Sequence, residues 1–303
     1  MPSSTDSSNA PSRLAVLRPV IQPFRGLASY VVRALRSAAY PLQGIWYFLS
    51  HPELYPLFAG RIIPLSIISF LVYTVLFVFT FPIQFAFVAL FHGWTGAWIS
   101  TIFLVLGEGL VIIQGLFEGF FVDEYRVDVF DATLISHGLV DLITPQRVLF
   151  LDAHNSVRML GKPTQRAEYQ PWSLIQIVEL IVFLPLNLIP FVGPPAFLII
   201  TGARVGKLSH YRWYKLRGLT KKEIKKEISL RVWEYTWFGT VAMLLELVPI
   251  LSFFFLLSTT AGSALWVVKM EESSRIRIGR PITADDHVPA ALEPPVYRDD
   301  PEA

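Results

Sequence analysis

Hydrophobic and polar positions along this chain fall into long blocks rather than short alternations. Four blocks are apolar enough to enter a membrane, and they occupy residues 62–91, 97–121, 172–203 and 235–268. A helix of about 20 apolar residues crosses the hydrocarbon core of a bilayer, which is roughly 30 Å thick. The pattern therefore predicts an all-α integral membrane protein.

The last two blocks are broken in the same way, 59 residues apart, so that Asn187 corresponds to Glu246. Proline ends or kinks a helix because it lacks the backbone donor. The residues expected at the bends are Pro190, Gly193, Pro194, Pro195 and Pro249. The arm 193–203 reaches only roughly 16 Å as a helix. We therefore expect two re-entrant or barely spanning helical hairpins, while a tilted full crossing remains open for the longer arms.

The first two blocks are joined by the short uncharged link 92–96, which predicts an antiparallel pair of spanning helices. The second of these blocks contains Glu108, Gln114 and Glu118, close to a Gly115-x-x-x-Gly119 motif that favours close helix packing. An ionised carboxylate at the membrane centre costs about 3 kcal/mol. These side chains form either an ion or proton site or, as we favour, polar contacts between helices. Their candidate partners are Gln176, Glu179 and Glu246, and Asn187 is a further polar candidate inside the membrane.

The segment between the two broken blocks, 204–231, is strongly basic. Basic loops remain on the cytosolic side of membranes and attract anionic lipids. The residues expected to contact lipid headgroups are Arg212, Lys215, Arg217, Lys221, Lys222, Lys225 and Lys226. Nucleic-acid binding is the rival interpretation of basic residues mixed with aromatics, and the flanking apolar blocks disfavour it.

Two further segments have an amphipathic pattern. Residues 24–40 predict an interfacial helix, although an acid-poor N-terminus is also typical of a mitochondrial transit peptide. In the second segment Glu124, Asp128 and Asp131 recur at helical spacing. Such acids can bind a metal, but no histidine joins them, so we expect a solvated helix face instead.

Composition narrows the chemistry. Only 17% of the 303 residues are charged, and the chain has no cysteine, which excludes disulfides, thiolate nucleophiles and cysteine-bound metals. The six histidines are scattered, and no nucleotide-binding or hydrolase motif is present. We therefore expect no enzymatic activity, no cofactor and no metal. The expected partners are membrane lipids, and the sequence leaves a homo-oligomer open.

The blocks also predict the organisation of the chain. We expect a flexible basic segment over 1–40, one helical membrane domain over 41–268, and a disordered tail over 269–303. If every apolar unit enters and leaves the membrane on one side, all polar segments share one compartment. Both termini are then cytosolic.

Several short runs resemble a known group of proteins. They are His51–Phe58, Leu90–Gly93, Gly107–Gly109, Phe120–Glu124, Asn187–Phe197, Gly202–Arg204 and His210–Arg212. On these runs the chain resembles the fungal outer-spore-wall and lipid-droplet membrane proteins. That group is similar to the superfamily of etoposide-induced membrane proteins and CysZ sulfate permeases.

The resemblance implies a non-enzymatic membrane protein of the endoplasmic reticulum and lipid droplets that supports spore-wall assembly. The alternative is a small-solute transporter for a sulfate-like anion. No Lys or Arg lies within the apolar blocks, which disfavours an anion site there. The helix that begins at Gly193 favours one, because helix N-termini attract anions.

Overall fold

A computed structural model describes residues 13–57, 59–119, 122–163, 192–249 and 251–278, together with single residues at 178, 182, 186 and 189. Within these residues the chain is almost entirely helical. The longer helices are α1 (Arg13–Ser50), α2 (Ala59–Val75), α3 (Phe81–Gly119), α4 (Val122–Ser136), α7 (Gly193–Ser209), α9 (Lys221–Leu230), α10 (Val232–Glu246) and α11 (Ser252–Ile278). The short ones are a 3₁₀ helix (Pro52–Leu57), α5 (Val140–Ile143), α6 (Ser156–Met159) and α8 (Tyr211–Leu216).

The region from α2 to α3 forms two long antiparallel limbs. One π-helical turn, Leu76–Thr80, joins α2 to α3, and α3 itself turns at Gly93, where φ is +65°. A positive φ is readily adopted by glycine, which explains the turn at this residue. Across the limbs, the Tyr73 hydroxyl donates to the Leu106 carbonyl oxygen at 3.2 Å. Nearer the turn, the rings of Phe85 and Trp98 lie 5.1 Å apart.

Helices α7 and α10 pack backbone against backbone. A Cβ atom added to Gly202 would lie 2.6 Å from the Cα of Thr240, and one added to Gly206 would overlap the Tyr235 carbonyl. From the opposite side, a Cβ on Gly239 would overlap the Gly202 carbonyl. Small residues let membrane helices approach closely, so these three glycines set the register of the pair.

Helices α1 and α11 cross in the same manner. A Cβ on Gly44 would lie 2.5 Å from the backbone nitrogen of Gly262, and one on Gly262 would overlap the Tyr40 carbonyl. Around this crossing the Tyr40 and Trp266 rings stack at 5.7 Å, and Phe48 packs edge-on against Phe254. Because α1 also packs against α10, the helices α1, α7, α10 and α11 form one bundle.

A side layer covers the other flank of α11. It consists of α4, α5, α6 and a two-stranded antiparallel ladder, β1 (Arg147–Leu149) and β2 (Leu160–Pro163). Val127, Phe130 and Leu134 of α4 are fully buried in one cluster with Val267 of α11. This layer fixes the charged residues described below against the bundle.

Three stretches among the described residues are long and apolar enough to cross a membrane, namely Ile62–Phe91, Gly93–Ile113 and Ser252–Ile276. They differ in how much of their most apolar part is buried inside the protein. That share is 22% in the first stretch and 67% in the third. The α2–α3 limbs therefore expose apolar side chains outward, whereas α11 is the centre of the bundle.

The broken block 235–268 differs from a self-contained hairpin of short arms. Helix α10 ends at Glu246 and α11 begins at Ser252, with Pro249 in the intervening turn. However, α11 continues for 27 residues, or roughly 40 Å. The two arms also pack mainly on other helices, α10 on α7 and α11 on α1, because the glycines lie on those faces. In the block 172–203, α7 begins at Gly193 with Pro194 and Pro195 in its first turn.

Both expected domain boundaries fall inside helices. Helix α1 runs from Arg13 to Ser50 across position 40, and its residue Ser37 is buried. Helix α11 runs past position 269 to Ile278, and Glu271 is buried. The division into a flexible segment 1–40, a membrane domain 41–268 and a disordered tail 269–303 stays a prediction, with helical structure on both sides of each described boundary.

Within the described part of the chain, the Gly115-x-x-x-Gly119 motif shows no close helix contact at Gly115. No atom of the described residues lies within 4 Å of where a Cβ on Gly115 would be. Close helix packing instead occurs at Gly202-x-x-x-Gly206 in α7, a motif that was not predicted from the sequence.

Replacing Gly239 with alanine tests the glycine contact. The added methyl group overlaps the backbone of α7, and overpacking costs about 1–3 kcal/mol of unfolding free energy. The matched control is Gly115→Ala, which meets no neighbour and gains helix propensity of about 0.5–1 kcal/mol. Unfolding in mixed micelles, followed by far-UV circular dichroism, should show loss for Gly239→Ala only. Equal stability of the two variants would contradict the packing.

Candidate functional site

Three buried charged residues, Asp131, Arg147 and Arg212, form a network between α4, β1 and α8. The Asp131 carboxylate, which has no solvent exposure, accepts from Arg212 at 2.8 and 3.1 Å and from Arg147 Nη1 at 3.2 Å. Arg147 also pairs with Asp128 at 2.6 Å. The network thus joins two buried guanidinium groups to two carboxylates.

Neutral groups complete this network. Arg147 Nε donates to the Gly161 carbonyl at 2.7 Å, and Arg212 donates to the Gln146 side-chain oxygen at 3.3 Å. The amide of Gln146 in turn donates to the Lys215 carbonyl at 2.6 Å. A buried ion pair is tolerated only when its remaining donors and acceptors are satisfied, and these contacts meet that condition.

The structure corrects the prediction of a solvated face over Glu124, Asp128 and Asp131. Glu124 is exposed, but Asp131 is completely buried and Asp128 is half-buried. Burial raises the pKa of Asp128, and the nearby Arg147 guanidinium opposes that rise. The guanidinium groups of Arg147 and Arg212 therefore contact the inner two carboxylates.

A second charged contact ties α11 to the basic segment. Glu271 of α11 accepts from the indole nitrogen of Trp213 at 2.7 Å and from Arg217 at 2.5 and 2.8 Å. Closer to the surface, Arg275 pairs with Asp141 at 2.6 Å. The C-terminal part of α11 is thus held by ion pairs on two sides.

A polar cluster lies where α2, α4, α10 and α11 meet. The buried Glu246 carboxyl faces Arg126 and the Thr259 hydroxyl, and Arg126 Nε donates to Thr260 at 3.4 Å. The Ser69 and Ser252 hydroxyls lie 3.2 Å apart in the same region. Although no cation lies in the apolar blocks themselves, α4 brings Arg126 against them from outside.

Glu108 has a partner that differs from those expected. The Gln84 amide donates to the Glu108 carboxyl across the two limbs of α2–α3. The structure does not bring Glu108 to Glu246, which belongs to the polar cluster described above. Gln114 and Glu118 lie on α3, where the structure does not describe their side chains. The expected residues Gln176, Glu179, Asn187 and Pro190 lie outside the described residues.

The basic segment divides into buried and exposed parts. Lys221, Lys222, Lys225 and Lys226 are exposed on α9, while its Ile224 and Ile228 pack on the core. Thr220 caps this helix through the backbone nitrogen of Glu223. Arg212 does not face lipid, in contrast to the prediction, because it is buried against Asp131.

His210 occupies a fully buried aromatic pocket. Its Nδ1 atom lies 2.9 Å from the Tyr235 hydroxyl, which accepts a hydrogen bond from Tyr214 at 3.0 Å. The Trp266 ring lies 4.6 Å away in an edge arrangement. Burial, with a smaller contribution from Arg231, lowers the pKa of His210 to about 3, so the imidazole is neutral.

Sequence reasoning missed Arg147, Gln146 and Tyr235 as partners in these clusters. No local pattern relates Asp131 to Arg212, which is 81 residues away. One signal was available for Arg126, since it lies a single turn from Asp123 at the start of α4 and pairs with it at 3.6 Å.

Replacing Asp131 with asparagine tests the charge network. The change leaves two buried guanidinium groups without their shared carboxylate, which costs about 3–5 kcal/mol of unfolding free energy. The matched control is Asp141→Asn, because the Asp141 side chain is 57% exposed and its pair should contribute less than about 1 kcal/mol. Detergent-solubilised variants can be compared by denaturant unfolding. Equally small losses would show that the network is not stabilising.

The depressed pKa of His210 predicts a pH dependence. The imidazole of the unfolded chain titrates near 6.5, so the full contribution of the neutral His210 to the unfolding free energy is present above that pH. It is lost as the pH falls toward the folded pKa of about 3, with a slope approaching 1.4 kcal/mol per pH unit. His210→Gln should reduce the pH dependence of the unfolding free energy between pH 6 and 4. The control His154→Gln, at an exposed position, should leave that dependence unchanged. An unchanged slope in His210→Gln would contradict the assignment.

Comparison with known proteins gives one partial similarity. No protein-family profile and no solved structure matches the chain. A stretch of 104 residues is 29% identical to the outer spore wall protein LDS1 of Saccharomyces cerevisiae. The aligned stretch covers 33% of this chain and 32% of that relative, so the chain spans about a third of its length. Together with the three apolar stretches, this similarity indicates a membrane protein related to a fungal spore-wall protein.

Proposed function

We propose that this chain is a non-enzymatic polytopic membrane protein of the endoplasmic reticulum and lipid droplet, which supports spore-wall assembly or lipid-droplet function. The observation that carries the proposal is the apolar exterior of the α2–α3 limbs. Ile83 is 74% exposed, Leu90 78% and Trp94 71%, and the turn between the limbs carries no charge. Such a surface requires lipid around it.

The turn at Gly93 supports a one-sided topology. A lipid droplet is enclosed by a phospholipid monolayer, so a segment that resides there cannot end in a second aqueous phase. The limbs enter and return without a charged residue between Arg61 and Glu108. In the proposed arrangement both termini and the basic segment are cytosolic.

The exposed lysines of α9 supply the headgroup contact in this arrangement. Lys221, Lys222, Lys225 and Lys226 point away from the core, while Lys215 is half-buried. Each lysine near an anionic membrane surface contributes about 1 kcal/mol. The proposed lipid contact therefore rests on α9, and the buried Arg212 takes no part in it.

The CysZ-type transporter is the competing function. An anion site needs a cation that is free to bind the substrate. The buried cations Arg147 and Arg212 share Asp131, and Arg126 contacts Asp123 and Thr260. These pairings disfavour a sulfate-like substrate at those three arginines.

Imaging of the tagged protein beside a neutral-lipid dye tests the proposal. We expect a rim around droplets for the natural chain. Ile83→Lys should abolish that rim, because a lysine at membrane depth costs about 3 kcal/mol. The matched control is Ile276→Lys, since Ile276 is 73% exposed but lies near the end of α11 beside Arg275.

Two outcomes would contradict the proposal. Equal targeting of both lysine variants would show that the limbs do not carry the membrane contact. Exclusion of the natural chain from droplets, combined with sulfate flux in proteoliposomes, would favour the transporter.

A further inference from the structure

The outer faces of α1 and α10 expose large apolar side chains, although neither helix is among the stretches long and apolar enough to cross a membrane. On α1, Leu42 is 53% exposed, Trp46 75% and Leu49 53%. On the neighbouring α10, Trp233 is 62% exposed, and Trp237 and Leu244 are also exposed. The two helices thus present a shared apolar face.

The contact with α11 fixes the depth of this face. Gly44 of α1 lies in backbone contact with Gly262, which is near the middle of the apolar stretch Ser252–Ile276. Two helices in backbone contact share the same depth at the crossing. If α11 lies in the membrane, α1 around Gly44 lies there too.

A ring of charges closes the face at one end. Lys269, Arg36, Glu234 and Glu272 lie close enough to the Tyr40 hydroxyl to act on it electrostatically. Arg33 and Arg231 lie close to the Glu234 carboxyl on the same side. Charged residues of both signs from three helices therefore meet at a single level, as expected where helices pass through lipid headgroups.

Beyond these charged residues, α1, α10 and α11 each have a stretch without charged residues. No Asp, Glu, Lys or Arg occurs between Arg36 and Glu53, or between Glu234 and Glu246. In α11 the uncharged stretch from Ser252 to Lys269 measures roughly 26 Å. This length is close to the roughly 30 Å of a bilayer's hydrocarbon core.

We propose that this shared face of α1 and α10 is a second lipid-contact surface, covered by acyl chains of the surrounding membrane. The proposal rests on the membrane insertion proposed above. Acyl chains fit the face because Leu42, Leu49 and Leu244 are aliphatic, and Trp233 lies beside the charged residues at one end. Tryptophans favour both membrane interfaces. The opposite flank of α11 is covered by α4, so lipid reaches the bundle from this face.

The absence of cysteine allows a direct test in the full chain. Single variants Leu42→Cys and Leu49→Cys are labelled with an environment-sensitive fluorophore and reconstituted in phosphatidylcholine vesicles. Ile83→Cys on the exposed limb is the lipid reference, and His154→Cys, an exposed position in the side layer, is the aqueous reference. We expect both α1 labels to show the blue-shifted emission of the Ile83 label. Nitroxide groups on acyl chains should quench them as strongly, and aqueous iodide should quench only the His154 label.

Each other outcome has a distinct meaning. If the Ile83 label is lipid-quenched but the α1 labels respond to iodide as the His154 label does, the lipid-contact surface is wrong and membrane insertion stands. If the Ile83 label itself responds to iodide, membrane insertion fails. If the α1 labels escape both quenchers, a second copy or another protein covers the face, which also overturns the proposal, and cross-linking of the unlabelled cysteine variants between chains identifies a second copy.

Discussion

Backbone contact at glycine is the interaction on which the arrangement of this protein depends. In lipid, burying an apolar side chain between helices gains little, because acyl chains are equally apolar. Close approach of backbones decides which helices pair. Gly44 and Gly262 join the first helix to the last, and Gly202, Gly206 and Gly239 join α7 to α10. These contacts give α10 and α11 different main partners, although Tyr235 and Phe238 of α10 also pack against Trp266 of α11.

The buried charges follow from this arrangement. Once α11 is central, its polar residues must find partners inside the protein. Glu271 meets Trp213 and Arg217, while Thr260 meets Arg126. The side layer and basic segment supply these partners, and the Asp131 network holds α4 and α8 together. Each buried carboxylate in the network lies against a guanidinium group, so the polar interior joins helices rather than exposing reactive groups.

The sequence predicted the helical class, the apolar blocks and the break at Pro249, since all three depend on local composition and on proline. It predicted partners poorly. Glu108 was matched with distant polar residues, yet its partner Gln84 lies on the adjacent limb. Arg212 was assigned to lipid because basic residues surround it, and only the fold shows Asp131 beside it. Pairings across 81 residues depend on how helices cross, which no local pattern contains.

Hydropathy and lipid exposure also diverge for a physical reason. A helix at the centre of a bundle needs small and apolar residues to pack, and these are the residues that lipid also favours. Helix α11 is therefore long and apolar enough to cross a membrane, although 67% of its most apolar part is buried by protein. Helix α1 is less apolar over its length, because it combines Arg33, Arg36 and polar residues such as Gln43 with Leu42 and Trp46. Mean hydropathy along a helix combines residues at the level of the headgroups with residues at the level of the hydrocarbon. The Gly44–Gly262 contact distinguishes the two groups in α1, because it gives the depth of one point on the helix.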